Sequence, residues 1–132
     1  MIVFDQVAKS YTTGGETVTI FNQFDLQVKT GEFVAIMGPS GSGKSTLLGL
    51  AGGIISPDTG SVNIGGTELS GMNDARATEF RGANIAYIFQ TFELISTLTV
   101  RENIELPLDI NRGVERAYNV DEVLARVGLS GK

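Results

Sequence analysis

The sequence predicts an α/β fold in which a phosphate-binding core follows a β-rich lobe, and three observations carry that reading. Residues 2–37 hold short apolar or alternating stretches separated by glycine turns. Gly38-Pro39-Ser40-Gly41-Ser42-Gly43-Lys44-Ser45 then spells G-x-x-x-x-G-K-[ST], a motif that needs a buried strand before it and a helix after it. Phe33-Val34-Ala35-Ile36-Met37 is the continuous apolar run such a strand requires, and Ser45-Thr46-Leu47-Leu48-Gly49-Leu50 opens the helix.

In chain order, Ile2–Val7 reads as the first strand. Thr17–Phe21 and the alternating Phe24-Leu26-Val28 follow as two more segments, with Gly14-Gly15 and Thr30-Gly31 as turn signals. Beyond the loop and its helix, Gly52-Gly53 and Ser56-Pro57-Asp58-Thr59-Gly60 are dense in turn residues. Ser61-Val62-Asn63-Ile64 before Gly65-Gly66 predicts a short strand entering a hairpin. Asn73 or Asp74 is placed to cap a short helix through Arg81. Ile85-Ala86-Tyr87-Ile88-Phe89 predicts a second buried strand, ending at Gln90. Thr99-Val100-Arg101-Glu102 has capping-box spacing and opens a brief helix that Pro107 is expected to end. Val120, Val123, Leu124 and Val127 share a helical face, with Gly128 at its C-terminal cap.

The loop's composition follows from its chemistry. Glycines and small residues let successive backbone N–H groups curl around the α/β-phosphates of a nucleotide. Lys44 can reach the β/γ-phosphates, and the Ser45 hydroxyl can ligate Mg²⁺. A helix beginning there adds its positive dipole end. Even with 17 Gly in 132 residues, chance supplies only roughly 0.01 matches to this pattern.

Bulk properties narrow the class. A hydrophobic fraction of 42% over 132 residues suits one globular domain with a modest core. The net charge of −5, from 15 acidic and 10 basic residues, argues against broad nucleic-acid binding. Without Cys there is no disulfide or thiolate metal site, and without His the commonest general base is missing. No window approaches 18 consecutive apolar residues, and the amino terminus lacks a secretory leader's basic and apolar regions.

The segment from Gly31 to Leu48 closely resembles the ATP-binding subunit of ABC transporters. Tyr11 upstream resembles the aromatic residue that stacks on adenine in that family. Gln90, after the apolar run, resembles the glutamine that contacts Mg²⁺ and the attacking water. Leu98-Thr99-Val100 and Glu102-Asn103-Ile104-Glu105-Leu106-Pro107-Leu108 resemble the stretch that follows. Gly52-Gly53, Phe89-Gln90 and that last run look most like the lipoprotein-release and macrolide-export branch. The resemblance spans about residues 2–129.

The resemblance implies that ATP phosphates are held by Gly38, Pro39, Ser40, Gly41, Ser42, Gly43, Lys44, Ser45 and Thr46. Tyr11 would then hold adenine, Ser45 and Gln90 would serve Mg²⁺, and Lys44 and Gln90 would act in catalysis. It implies one ATP-binding domain, with β lobe and loop core over about 1–90 and a helical subdomain starting over about 91–132. Its partners would be transmembrane permease subunits and a second ATP-binding subunit arranged head to tail, with no nucleic acid. Its place would be cytoplasmic, peripheral on the inner face of the cell membrane. Arg81 and Arg101 read as solvated charges rather than ligands.

Hydrolysis also needs a carboxylate for Mg²⁺ and a group that orients water. The family has an Asp and a Glu ending an apolar strand, and a later histidine; no such strand end appears here. Leu106-Pro107-Leu108-Asp109 is broken by proline, and Asp121-Glu122 lies in a helical pattern. Leu129-Ser130-Gly131 mimics the start of the family's Leu-Ser-Gly-Gly-Gln signature. It sits directly on Val127-Gly128, however, and Lys132 replaces the second glycine. The expectation is an amino-terminal portion that stops before these elements, binds Mg·ATP weakly and hydrolyses it negligibly, with exposed apolar surface and poor solubility. A non-catalytic nucleotide-binding or interaction module is the alternative. A small phosphate-loop kinase fits badly, since roughly 36 residues of β-rich sequence precede the loop.

Overall fold

Ile2–Thr13 (β1) and Glu16–Val28 (β2) form an antiparallel hairpin closed by the two-residue turn Gly14-Gly15. The computed structural model describes residues 1–110 and 119–130. Thr59–Ile64 (β3) and Thr67–Glu68 (β4) make a second, smaller hairpin. The four strands form one sheet in the order β2-β1-β3-β4, with β3 antiparallel to β1.

Bulges set which side chains face inward. On β1 the buried residues Phe4 and Val7 are three apart rather than two, because the register slips between them on both sides. Gln6 there has φ 50°. Its N–H bonds Asp25 Oδ1 at 2.7 Å, and its side-chain amide bonds Asp25 Oδ2. Gly60 faces this bulge so closely that a Cβ would lie 2.3 Å from the Gln6 carbonyl oxygen and 2.5 Å from that of Asp5. No side chain fits there. Gln23, also at φ 50°, similarly puts Phe21 and Phe24 on one side of β2 three residues apart. This explains why β2 reads as two segments in sequence yet forms one strand.

The helix Lys44–Ala51 (α1) covers this face. Leu47 and Leu50 pack with Phe4, Val7 and Val62, flanked by Ile2, Phe21, Phe24, Leu26 and Ile55. Phe24 meets the Phe4 ring edge-on at 6.0 Å and the Phe21 ring at 4.9 Å. Each fully buried side chain of this size contributes roughly 1.5–3 kcal/mol.

Asp74–Asn84 (α2) begins where Asn73 accepts the Arg76 N–H at 3.0 Å, and it runs three residues past its predicted end. The chain divides into two compact units, Met1–Arg81 and Gly82–Lys132. In the second, Val100–Ile110 (α3) and Val120–Arg126 (α4) are joined by an ion pair of Arg101 with Asp121. Pro107 does not end α3 but lies inside it. Proline removes only the hydrogen bond to the residue four back, and α3 continues for three further residues. Asp121 and Glu122 lie in the first turn of α4, as their helical pattern predicts. At the end of α4 the Gly128 N–H reaches the Ala125 carbonyl and the Leu129 N–H the Leu124 carbonyl, at 3.1 and 2.8 Å. These two bonds form the predicted glycine cap. Gly131 and Lys132 of the signature-like run lie outside the described residues.

Two predicted strands are absent as strands. Residues 33–37 and 85–89 carry no ladder. Phe33 and Met37 are 94% and 89% exposed, and Ile88 is fully exposed. Apolarity extends a segment, but a strand exists only through a neighbour's hydrogen bonds. Among the described residues neither run has that neighbour.

Candidate phosphate-binding site

Residues 38–43 form an irregular loop ahead of α1, exposed through residue 42 and half-buried at Gly43. Gly41 and Gly43 hold φ +80° and +87°, a backbone region that strains any residue with a Cβ. At Gly43 a Cβ would also lie 2.6 Å from Ile20 Cγ2 and 3.3 Å from Phe21 Cζ. The loop's last glycine is therefore pressed against β2. At Gly38 a Cβ would lie 2.8 Å from Ser42 Oγ, so the loop's two ends also close on each other.

Gly43 is the N-cap of α1 and supplies no side-chain bond, and the first turn holds no acidic residue. The helix thus presents uncompensated N–H groups and a positive dipole end. Lys44 stands at that end. Its Nζ donates to the carbonyl oxygens of Gly38 at 2.9 Å and Pro39 at 2.6 Å, and lies 3.4 Å from Ser42 Oγ. The lysine is folded over its own loop and concentrates positive charge at the loop's mouth. Ser45 is exposed in the first turn and Thr46 half-buried beside it.

The structure brings Gly38, Pro39, Ser40, Gly41, Ser42, Gly43, Lys44, Ser45 and Thr46 together as one continuous cradle. Its donor set suits an anion. Among the described residues no group of three or more acidic side chains could hold a metal by itself. The exposed Ser45 hydroxyl fits a hard cation such as Mg²⁺ that takes most of its ligands from phosphate oxygens and water.

Tyr11 stands on β1 opposite Val18 and is 41% exposed. Its ladder is the one whose β2 residues, Ile20 and Phe21, support Gly43. The Lys9 ammonium lies 5.5 Å from the centre of the Tyr11 ring and 2.8 Å from Asp58 Oδ1. Asp58 Oδ2 accepts the Ser10 N–H at 2.7 Å, and the Asp58 N–H bonds the Ala8 carbonyl at 2.9 Å. The Lys9 contact, then the Ser10 N–H, holds the Asp58 carboxyl below the usual carboxylate range. Sequence reasoning missed Lys9 and Asp58. They are 49 residues apart, and no local pattern pairs them.

Gln90 belongs to the second unit, exposed at a bend directly after residues 85–89. Tyr87 and Phe89 just before it stack at 5.4 Å. Asn103 is a further missed residue. Its amide donates to the carbonyls of Ile95, Leu98 and Thr99, while its Oδ1 accepts the Ile95 N–H. It thereby fixes the loop after Gln90 onto α3. Arg81 and Arg101 are not simply solvated charges. Arg81 donates to the Gly53 carbonyl at 2.8 Å and Thr78 Oγ1 at 2.7 Å. Arg101 pairs with Glu105 and Asp121. A cavity of about 330 Å³ lies behind the C-terminal end of α1, lined by Leu50, Ile55, Val62, Leu69 and Arg81 among others. It includes no residue of the loop.

Comparisons with known proteins identify the family. A family model described as ABC transporter matches residues 21–132. The chain is 40% identical to the lipoprotein-releasing system ATP-binding protein LolD 1 of Rhodopseudomonas palustris, over 98% of this chain and 59% of that protein. It is 39% identical to the uncharacterized ABC transporter ATP-binding protein YvrO of Bacillus subtilis, over 100% and 58%. Among solved structures it superposes on the ATP-binding cassette MJ0796, in a dimeric post-hydrolysis state bound to ADP and Pi. The TM-score is 0.82 at 38% identity, covering 98% of this chain and 54% of that one. The chain spans a little over half the length of these relatives. With a family match over most of its length, the chain belongs to the ABC transporter ATP-binding family.

Proposed function

We propose that this chain binds the triphosphate of ATP on residues 38–46, with Ser45 serving Mg²⁺, as part of the ATP-binding subunit of an ABC transporter. The observation that carries the reading is the uncapped, acid-free start of α1 with Lys44 tethered across it. On this reading the N–H groups of the loop orient the phosphates, and the Lys44 ammonium exchanges its carbonyl partners for β/γ-oxygens. The Ser45 hydroxyl offers its oxygen to the cation, and the Tyr11 ring offers a face to adenine. Bound Mg²⁺ would neutralise phosphate charge. Gln90 is assigned its Mg²⁺ and water-orienting role from family resemblance alone.

In the whole protein, two such subunits would close head to tail on ATP and drive permease subunits at the inner face of the membrane. The names of the relatives support this, since LolD serves a lipoprotein-releasing system and the cassette MJ0796 was solved as a dimer with ADP and Pi. Among the described residues no helix is long and apolar enough to cross a membrane. We assign negligible hydrolysis to the 132 residues alone, because the sequence holds no Asp-Glu pair ending an apolar strand after the loop.

Titration calorimetry of the chain with Mg·ATP tests the binding. Lys44→Ala is expected to weaken affinity roughly 10–100-fold, as loss of charge-assisted hydrogen bonds does. Unchanged affinity would sink the assignment. Sustained ATP turnover by the wild-type chain, abolished in Lys44→Ala, would overturn the claim of negligible hydrolysis.

A further inference from the structure

We propose that Lys9 and Asp58 form a positioning pair that presents the Tyr11 ring to a nucleobase, with the Lys9 ammonium taking one ring face and the base the other. The inference rests on the reading of Tyr11 as the base-stacking residue. A tyrosine that is 41% exposed near a strand end has little packing to fix its side-chain torsions. The cation 5.5 Å from its ring centre supplies that restraint, within the range where ammonium–ring attraction operates.

Lys9 is itself fixed. Its side chain is only 15% exposed, against 45% for Asp58, and the Asp58 carboxylate grips it from one oxygen while holding the Ser10 N–H with the other. The Asp58 N–H closes on Ala8. Three contacts thus pin Asp58 to residues 8–10, immediately before Tyr11. An ion pair exposed at both partners would carry little weight, but this one is anchored to the strand backbone.

Asp58 lies in the connection between α1 and β3, immediately before Thr59. A cation behind the ring draws electron density from it, which suits stacking against an electron-rich purine. The pair would act through Tyr11, so its effect should appear only with ligands that carry a base.

The test is calorimetric titration of the chain and its variants Tyr11→Ala, Lys9→Met, Lys9→Arg and Asp58→Asn with Mg·ATP and with magnesium tripolyphosphate, which has no base. Lys9→Met and Asp58→Asn are expected to weaken ATP about three- to tenfold and leave tripolyphosphate unchanged. Lys9→Arg, which keeps a cation over the ring, is expected to restore ATP affinity. Equal weakening of both ligands would show a merely structural role and overturn the proposal. ATP binding that falls in Tyr11→Ala but not in Lys9→Met would overturn it while leaving the stacking intact. Unchanged ATP binding in Tyr11→Ala would remove the stacking reading itself, and the pair with it.

Discussion

The start of α1 and the starts of the other helices solve the same problem in opposite ways. Every helix begins with backbone N–H groups that lack partners within it. At α3, Thr99 and Glu102 satisfy each other's backbone in a closed box, with Glu102 Oε2 2.8 Å from both the N–H and the Oγ1 of Thr99. These Thr99 bonds hold the Glu102 carboxyl below its ordinary range. At α4, Asn119 accepts the Asp121 N–H at 2.9 Å, and two acids stand in the first turn. At α2, Asn73 and Asp74 do the same work. Only α1, among the described helices, starts with a bare glycine, a lysine and no acid. Self-satisfied ends are scaffold; the end left open with positive charge is where we propose a ligand's anion binds.

That contrast can be broken most severely at Gly43. Gly43→Ala would force a Cβ against Ile20 in a backbone conformation that strains it. The combined cost is roughly 2–5 kcal/mol from overpacking and left-handed strain. Thermal melting should show a large fall in Tm, with ATP binding lost; an unshifted melt would mean the loop is free to move off β2.

A subtler change would make α1 resemble its neighbours. Ser42→Asp sets a carboxylate beside Lys44 Nζ, which now lies 3.4 Å from Ser42 Oγ. The new ion pair should fill the open end from within. Calorimetry should then read ATP affinity about tenfold or more weaker, with no loss in Tm. Retained affinity would show that the charge at this end is not what holds the ligand.

The smallest effects belong to the closed ends. Thr99→Ala and Asn119→Ala should each lower stability by about 1 kcal/mol in urea titration while Mg·ATP affinity stays the same. A drop in affinity in either variant would erase the division between scaffold ends and the ligand end.

The same division describes how legible the molecule was from its sequence. The phosphate loop, the Gly14-Gly15 turn, the Thr99–Glu102 box and the Gly128 cap are local, so spacing alone locates them. Features made by distant partners are not local. Lys9 meets Asp58 across 49 residues, and Gly60 is required by a bulge at Gln6 that no pattern announces. Asn103 looks like any polar helical residue until its amide is seen bonded to three carbonyls. Pro107 misleads in the other direction, because a helix with good bonds on either side tolerates one missing rung. The predicted strands at 33–37 and 85–89 misled for a related reason, since periodicity reports what a segment could bury and not whether a ladder partner is beside it.

The bare stretch Phe33-Val34-Ala35-Ile36-Met37 has a consequence for synthesis. From the moment it is made, the chain displays five consecutive apolar residues that β1 and β2, already synthesised, do not cover. Such a stretch is a natural foothold for a chaperone that recognises extended apolar peptide. Its yield in cells should therefore depend on chaperone supply more than on the stability of the hairpin that precedes it.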